Sequence, residues 1–416
     1  MWPEGVGRRK FLAWQSSTGD LIGRDCLEIN KLRVLAIVPS GCCFGLQNLT
    51  LAFFARLHPR VQCHFLNTRW SDGEFSRRLS ELGIPHSATW FEMFSRRLDP
   101  ANLKMTLACL WKLPVAYFDF LRLYWRFRPT TIYLANHHEV ILLWPLLILF
   151  RRQVICHIHD PPPALAFQKI SFFFWRRAVG RFLFISENTR ERLSWLGALT
   201  DRDRVVHNGV EVRELTLPRR RSRRFCQEFG WPDTALVVGL TGQMSAHKGH
   251  EDFLAAARLL KERNSNLRFV IAGRQHTSFF SRLRQLVLEW GIDRVVGFPG
   301  WLPQAQEFFE AIDIFVLASR HEEGFGLVVA EAGERGVPVV CTRSGGALEI
   351  VIDGRTGILV DKNHPEQIAL AIERLAEDPR LAAEMGVAGR QRVSQDFNLA
   401  CQAALFEKFL ADIHDH

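Results

Sequence analysis

Two glutamates and two glycines between residues 323 and 331 have types and spacing that suit chemistry. Glu323 and Glu331 are separated by seven residues, and Gly324 and Gly326 lie between them. Glycine lets backbone N–H groups approach a ligand closely, and the N-terminus of a helix attracts anions. We therefore expect an anion site here, with carboxylates beside it that can accept hydrogen bonds from hydroxyl groups.

The residues around this group predict a strand, a turn, a helix and a second strand. The apolar run Phe315 to Ala318 is typical of a buried parallel strand, and a helix is expected to open at Gly326 and end near Gly336. A second apolar run follows at Val339 to Cys341. This order is a βαβ unit, so the turn is expected to end a strand of a parallel sheet.

Length and composition indicate a globular protein with more than one domain. The chain has 416 residues, of which 47% are hydrophobic and 23% charged. The net charge of +9 is uneven, because residues 1–200 carry 26 Lys and Arg against 14 Asp and Glu, whereas residues 201–416 carry 27 against 30. The basic first half is expected to meet an anionic partner.

The cysteines and the apolar runs indicate the cellular compartment in which the protein is expected. The nine cysteines form no C-x-x-C motif, which favours reduced thiols over disulfides or zinc. The first thirty residues do not have the pattern of a signal peptide, and the longest apolar run, Val140 to Phe150, is too short to span a bilayer. We predict a cytoplasmic protein with peripheral contact to the inner face of the cell membrane.

Two successive series of alternating strands and helices predict an α/β fold with two domains. The first series starts with a strand at Lys31 to Pro39, which is followed by a loop that reaches Gly45. A basic segment, Pro218 to Arg224, separates it from the second series. We predict an N-terminal arm at 1–30, domains at 31–212 and 213–395, and a helix at 396–416 that packs back on the first domain.

Two segments of the first half, 103–128 and 169–181, combine aromatic and basic residues. Aromatic side chains beside cations fit helices that lie on anionic lipid. The alternative is that the aromatic residues are core and the cations form a solvated face. A nucleic-acid partner is not expected, because no recognised nucleic-acid motif accompanies the charge.

Glycines follow three predicted strands of the second half, at Gly242, at Gly273 and at the pair Gly324 and Gly326. Open parallel sheets bind ligands at this edge. Lys248 follows the first of these strands and can bring a cation to a diphosphate at the helix N-terminus. With Glu331 placed to accept hydrogen bonds from a ribose, the predicted ligand is a nucleoside diphosphate.

Several of these segments resemble a known family. The runs GQMSAHKGHEDFLAAARLL (242–260), FVIAG (269–273), ASRHEEGFGLVVAEAGERGVPVV (318–340) and SGGALEIVIDGRTGILV (344–360) resemble the retaining, nucleotide-sugar-dependent glycosyltransferases of family 4. The pair Glu323 and Glu331 resembles its E-x7-E motif, and HNGVE (207–211) its interdomain segment. The resemblance implies the GT-B fold, in which two Rossmann-like, doubly wound parallel-sheet domains face across a cleft.

The resemblance also implies roles for individual residues. Glu331 would hold the donor ribose, Glu323 would lie near the transferred sugar, and His159, in the run HIHD, resembles the active-site histidine. Many members have arginine where Gln243 stands, so Lys248 would carry more of the leaving-group stabilisation. The other implied donor-binding positions are Gly45, Gly273, Arg274, Gly324, Phe325, Gly326, Leu327 and Val328.

Two patterns could suggest a metal. Asp201-Arg202-Asp203 spells D-x-D but lies away from the predicted donor loops, and His157 and His159, with His137, His138 and Asp160, could ligate zinc. The D-x-D pattern is not favoured because of this position, and the histidine pattern is not favoured because His159 has a catalytic role under the resemblance. We expect no metal and no cofactor beyond the nucleoside-diphosphate sugar as co-substrate.

The resulting prediction is a retaining glycosyltransferase that acts on a lipid-linked glycan or a polysaccharide precursor. A nucleotide-sugar epimerase of the same fold, which needs no acceptor, is the alternative enzyme. A nucleotide-binding module without catalysis is a further alternative, disfavoured by the presence of both Glu323 and His159.

Overall fold

The computed structural model describes residues 32–38, 45–57, 61–70, 73–91, 100–160, 166–194, 199–214, 221–275 and 278–412. The predicted N-terminal arm at 1–30 and most of the loop before Gly45 lie outside these residues. Within them the chain alternates strands and helices and forms two parallel sheets, as the sequence predicts.

The first sheet has seven strands in the order β3-β2-β1-β4-β5-β6-β7. Its central strand β1 pairs in parallel with β2 and β4, and the side chains from Val34 to Val38 are buried. Apolar runs of this kind are typical of strands covered by helices on both faces. The strands are β1 Arg33–Val38, β2 Gln62–Thr68, β3 His86–Thr89, β4 Thr131–Leu134, β5 Val154–Ile158, β6 Arg181–Phe184 and β7 Arg204–Val205.

The α-helices that connect these strands have 8 to 28 residues. They include most of the aromatic and basic segments noted in the sequence. They are α1 Gly45–Leu57, α2 Glu74–Glu81, α3 Pro100–Phe127, α4 His138–Leu147, α5 Ala166–Ala178 and α6 Glu187–Ser194, with a 3-10 helix at Ile148–Gln153. Among the described residues, no helix is both long enough and apolar enough to cross a membrane.

The second sheet has six strands in the order β10-β9-β8-β11-β12-β13. Strand β11 lies between β8 and β12 and pairs in parallel with both. The strands are β8 Leu236–Thr241, β9 Leu267–Ala272, β10 Val296–Gly300, β11 Ile314–Leu317, β12 Val339–Thr342 and β13 Gly357–Val360.

Nine helices, counted over the described part of this half, connect the strands and complete the chain. They are α7 Arg224–Phe229, α8 His250–Lys261, α9 Ser278–Glu289, α10 Ala305–Glu310, α11 Leu327–Glu334, α12 Ala347–Ile350, α13 Pro365–Glu377, α14 Pro379–Asp396 and α15 Leu399–Ala411. A 3-10 turn at Ala246–Lys248 precedes α8.

The side chains of β11 alternate between two apolar cores. Phe315 and Leu317 belong to one cluster, and Ile314 and Val316 belong to the other. Successive side chains of a strand point to opposite faces, so the two clusters cover the two faces of the sheet. Burial on both faces explains why this strand is apolar at every position, as the sequence analysis expected.

The chain divides into two compact units. One contains the described residues up to His157 together with Lys169–Phe182 and the chain from Phe406, and the other contains Ile158–Gln168 and Leu183–Leu405. Within the first unit, the ring of Phe406 in α15 lies 5.4 Å from that of Phe53 and 5.6 Å from that of Tyr133. The end of the last helix, from Phe406 onward, therefore packs within the first unit.

The structure also contains elements that the sequence did not predict. Helix α14 begins after Asp378, whose carboxylate accepts a hydrogen bond of 2.9 Å from the Leu381 N–H, and Pro379 occupies its first turn. These are ordinary helix-start signals. Before the HNGVE segment the chain forms a strand of two residues, Arg204–Val205, and Val210 within that segment forms an isolated bridge with Asn398.

Candidate active site

The glycine turn that follows β11 has the geometry that the sequence predicts. Gly326 is the N-cap of α11 and has a φ of 91°, a conformation that side chains other than glycine rarely adopt. The N–H groups of Leu327 and Val328 belong to the first turn of this helix, where backbone donors lack intrahelical acceptors. These donors, with the positive end of the helix dipole, can bind an anion.

Glu323 makes an ion pair in the centre of this turn. Its two carboxylate oxygens lie 2.8 and 2.9 Å from the Lys248 Nζ, and the Ser319 hydroxyl donates a hydrogen bond to the same carboxylate. The side chain of Glu323 is 13% exposed and that of Lys248 28%. The two residues are 75 positions apart in the sequence, and the structure joins them at the edge of one sheet.

The backbone of the Glu323 loop is held by residues that the sequence analysis did not select. The Glu323 N–H donates to the Ser344 hydroxyl at 3.0 Å, and the Gly346 N–H donates to the Glu323 carbonyl at 2.8 Å. The Ser186 hydroxyl donates to the Gly324 carbonyl at 2.6 Å. The run SGGALE at 344–349 was a usable signal, because its glycines allow this close approach.

His159 directly follows β5 and contacts the same loop through its backbone. A Cβ added to Gly324 would overlap the His159 carbonyl oxygen, so glycine is required at 324 for the two segments to approach. The His159 side chain is buried, and this burial lowers its pKa to about 3. The imidazole is therefore neutral at physiological pH and can act as a hydrogen-bonding group but not as a cation.

Glu331 lies in the second turn of α11. The residue as a whole is partly exposed. Burial of its carboxyl raises the pKa of Glu331 to about 7, and the neighbouring charge of Glu334 raises it further. Among the described residues, no cation or hydrogen-bond donor pairs with the Glu331 carboxyl. Glu334, in contrast, pairs with Arg335 and Arg390. Glu331 is thus the carboxyl of this helix that a ligand can use.

The remaining predicted positions have different surroundings. A Cβ on Gly273 would lie 2.5 Å from the Gly242 carbonyl oxygen, so the turns after β8 and β9 are in contact. Gln243 is exposed, and the guanidinium of Arg274 lies 5.4 Å from the ring centroid of Trp301. Phe325 is buried, with its ring 6.0 Å from that of His207. Gly45 is the exposed first residue of α1 in the other unit.

Glu349 is a further polar residue that sequence reasoning missed. Its carboxylate accepts hydrogen bonds from the N–H groups of Glu187 and Asn188, at 3.1 and 2.8 Å, and from the His207 Nε2 at 2.8 Å. It therefore provides a negative charge at the N-terminus of α6. This carboxylate links α6 to the HNGVE segment and to the SGGALE run.

The D-x-D pattern has a structural role in its turn. Asp203 is buried, and its carboxylate accepts hydrogen bonds from the N–H and hydroxyl of Thr200 at 2.6 and 3.1 Å. His157, of the histidine pattern, is hydrogen bonded through Nδ1 to the Tyr133 hydroxyl at 2.7 Å. The described residues contain no group of three or more His, Cys, Asp and Glu side chains arranged to hold a metal.

Residues 222–392 match the family described as Glycosyl transferases group 1. This region contains Lys248, Glu323 and Glu331. A D-inositol 3-phosphate glycosyltransferase of Pseudarthrobacter chlorophenolicus is 32% identical over 235 residues, which cover 56% of this chain and 55% of the relative. A GDP-mannose-dependent alpha-(1-6)-phosphatidylinositol monomannoside mannosyltransferase of Mycolicibacterium smegmatis is 30% identical over 237 residues, 55% of this chain and 61% of the relative. The chain thus spans between half and two thirds of these relatives.

Solved structures match over nearly the whole chain. Anabaena HepE in complex with UDP-glucose superposes with a TM-score of 0.76 at 19% identity, covering 92% of this chain and 100% of that one. The sucrose-phosphate synthase of Thermosynechococcus elongatus gives a TM-score of 0.73 at 18% identity, with the same coverage. Together with the two parallel sheets, these likenesses confirm the predicted α/β, GT-B fold.

Proposed function

We propose that the chain is a retaining glycosyltransferase of family 4 that moves a sugar from a nucleoside diphosphate to a hydroxyl group of an acceptor. The observation that carries this proposal is the ion pair of Lys248 and Glu323 beside the N-terminus of α11. It places a cation and backbone donors, which suit a diphosphate, next to a carboxylate that suits sugar hydroxyls. The names of the relatives, inositol glycosyltransferase and mannosyltransferase, support the same reaction class.

The diphosphate of the donor is assigned to Lys248 and to the backbone at Gly326, Leu327 and Val328. As the glycosidic bond breaks, negative charge develops on the leaving phosphate, and fixed donors around it lower the barrier electrostatically. Gln243 can donate a hydrogen bond but carries no charge, so Lys248 supplies the positive charge at this point. Gly273, Arg274, Gly324 and Phe325 belong to the proposed donor-binding surroundings, and Gly45 remains a position that only the resemblance implies.

The ribose is assigned to Glu331 and the transferred sugar to Glu323. Glu331 has no protein partner for its carboxyl among the described residues, which leaves its oxygens available to the two ribose hydroxyls. Hydrogen bonds from Ser319 and Lys248 hold the Glu323 carboxylate in position. His159 is neutral because its pKa is lowered by burial, so it can accept a hydrogen bond from a hydroxyl near the reacting carbon.

The proposed transfer keeps the anomeric configuration through attack on the same face. The bond between the anomeric carbon and the leaving phosphate oxygen breaks, and the acceptor oxygen forms its bond to that carbon. The acceptor proton passes to the departing phosphate. Glu323 is engaged by Lys248 and Ser319, an arrangement that suits a charge-stabilising role better than a covalent one.

The stereochemistry can be tested directly. Product formed from a donor of known anomeric configuration is expected to show the same configuration by NMR. Mass spectrometry of the intact protein during turnover is expected to show the unmodified mass. A glycosyl adduct on Glu323 would contradict same-face attack, and inverted product would contradict retention.

We also propose that the reaction needs no metal. We assign the stabilisation of the leaving phosphate to Lys248 and to the backbone donors of α11, and a divalent cation has no role in this assignment. Transfer is expected to persist in EDTA. Complete loss of activity that Mn²⁺ restores would overturn this part of the proposal.

The acceptor is proposed to be a lipid-linked glycan or a polysaccharide precursor at an anionic membrane surface. The charge of the first half, 26 Lys and Arg against 14 Asp and Glu over residues 1–200, supports an anionic surface as its partner.

A screen of nucleoside diphosphates by thermal shift identifies the base, because a ligand that binds the folded state raises its stability. Donor turnover that requires added lipid acceptor supports transfer, whereas conversion of the donor alone would indicate an epimerase.

A further inference from the structure

Helix α3 has two apolar faces, and one of them packs inside the first unit. Cys109, Ala116 and Phe120 are buried on this inner face. Close by, the ring of Tyr124 lies 4.1 Å from that of Phe150, and the Tyr117 hydroxyl donates to the Leu142 carbonyl at 2.7 Å. The inner face therefore accounts for the attachment of α3 to the rest of its unit.

The opposite face of α3 is apolar as well, but it is exposed. We call it the outer stripe, and its members are Leu107, Trp111, Val115, Phe118 and Trp125, each between 44 and 83% exposed. Their spacing of 4, 4, 3 and 7 residues, read from the sequence, keeps them on one side of an α-helix. The sequence alone is compatible with these aromatic residues in the core or at the surface, and the structure places Phe120 in the core and the outer stripe at the surface.

An exposed stripe of this composition is unusual for a helix that faces water. Single exposed apolar residues are common, but a contiguous set with two tryptophans and a phenylalanine marks an interaction surface. The described residues provide no ring neighbour for Trp111 or Phe118, and Trp125 meets the ring of the adjacent Tyr124. The helix is therefore held in place on one side and presents a second apolar side outward.

Positive charge accompanies the stripe. Arg122 falls within it, 4 residues after Phe118 and 3 before Trp125, and Arg126 follows on its flank. Both side chains are exposed, and neither forms an ion pair with a described residue. The one acidic residue of α3, Asp119, accepts a hydrogen bond of 2.6 Å from the Thr89 hydroxyl. The exposed charge around the stripe is thus positive.

Neighbouring helices of the same unit carry a second exposed apolar group with the same chemistry. The ring of Trp144 in α4 lies 5.6 Å from that of Phe174 in α5, and the guanidinium of Arg177 lies 4.1 Å from the ring centroid of Phe173. Trp144, Phe173 and Phe174 are all more than a third exposed. Tryptophan, phenylalanine and arginine together are typical of a membrane interface.

We propose that the outer stripe of α3 is the surface by which the protein binds an anionic lipid bilayer. The helix would lie in the plane of the interface, with its aromatic side chains among the headgroups and Arg122 and Arg126 on lipid phosphates. The described helices are not suited to crossing a membrane, and an interfacial helix needs no crossing. This inference deepens the proposed membrane-bound acceptor, but lipid binding can be measured without sugar transfer, so either can fail alone.

The test is co-sedimentation of the full chain, without nucleotide, with vesicles of phosphatidylglycerol and phosphatidylcholine. The triple variant Trp111→Ser, Phe118→Ser, Trp125→Ser is expected to bind at least about tenfold more weakly. Its matched control is Leu288→Ser, Leu370→Ser, Val387→Ser, which removes three exposed apolar side chains of the other unit and is expected to bind like the wild type. Circular dichroism and thermal unfolding establish that each variant is folded.

The charge is tested separately. Arg122→Gln with Arg126→Gln is expected to weaken binding about fivefold for each cation removed, and the comparison pair is Arg77→Gln with Arg380→Gln. Binding by the wild type should fall at high salt and on vesicles of phosphatidylcholine alone.

Absence of vesicle binding, or binding that the triple variant leaves unchanged, would overturn the proposal. A dimer that the triple variant abolishes, without lipid binding, would instead assign the stripe to a second copy of the chain.

Discussion

The ammonium group of Lys248 lies 2.8 and 2.9 Å from the two carboxylate oxygens of Glu323, and neither side chain is more than 28% exposed. An anion that arrives at the N-terminus of α11 thus meets a cation that is already paired. The pair holds the Glu323 carboxylate at the carboxyl edge of the sheet. Substitutions of Lys248 and Glu323 should therefore have non-additive effects on folding stability and on ligand affinity.

Replacement of Lys248 by methionine should weaken nucleoside diphosphate binding by about tenfold to a hundredfold. It removes a charge-assisted contact worth about 1.5–3 kcal/mol without shortening the side chain severely. Isothermal titration calorimetry measures the loss. The control is Lys362→Met, because Lys362 pairs with Glu322, the residue next to Glu323, and its loss should change affinity less than about twofold. Equal effects of the two variants would remove the diphosphate role of Lys248.

The same ion pair should be visible in stability. Lys248→Met leaves a largely buried carboxylate without its cation, which should cost about 1–3 kcal/mol in urea unfolding. Adding Glu323→Gln to that variant removes the unpaired charge and should restore part of the loss, because contacting residues are not additive. If the double variant is destabilised by the sum of the two single changes, the pair contributes no coupling in solution.

Local patterns in the sequence were enough to predict the sheets and the glycine turn. The apolar runs of β8, β9 and β11 have few alternatives, since a fully buried strand must be apolar at each position. Gly326 was likewise predictable, because the turn before α11 needs a positive φ, which glycine adopts without strain. Helix α14 was missed although its Asp378 and Pro379 are good start signals.

The contacts that fix the site depend on long-range packing and could not be predicted in the same way. Lys248 and Glu323 were expected to serve the phosphate and the sugar, and their mutual pairing follows from the adjacency of β8 and β11. Ser186 reaches Gly324 across 138 residues, and Glu349 reaches Asn188 across 161. No spacing rule links such positions, because the fold alone brings them together.

Substitution of Gly345 should destabilise the protein more than substitution of Gly354, a nearby glycine that also has a positive φ. Gly345 and Gly354 have φ values of 47° and 70°, but a Cβ would overlap the Glu323 carbonyl only at 345 and would meet no atom within 4 Å at 354. Gly354→Ala should therefore cost about 1–2 kcal/mol from backbone strain. Gly345→Ala should cost at least about 1 kcal/mol more and should also lower donor affinity by displacing the loop. Similar stability and affinity in both variants would show that the Glu323 loop tolerates displacement.

Glu331 should make stability depend on pH near neutrality. Its pKa is raised from 4.5 to about 7 in the folded protein, chiefly by burial. The folded state therefore holds the proton more tightly than the unfolded state, and the stability from this group falls as pH rises through that interval. Glu331→Gln should match the wild type near pH 4.5 and be about 1–3 kcal/mol more stable above pH 7, after allowance for partial exposure.

The same variant separates the ribose role of Glu331 from its cost to folding. An ionised carboxylate accepts stronger hydrogen bonds from hydroxyl groups than an amide does, so wild-type nucleotide affinity should rise as pH passes through about 7. Glu331→Gln should bind more weakly and without that rise, while the exposed control Glu384→Gln should follow the wild type. Calorimetric affinities measured across this range decide the matter, since a Gln variant with wild-type affinity at high pH would exclude Glu331 as the ribose ligand.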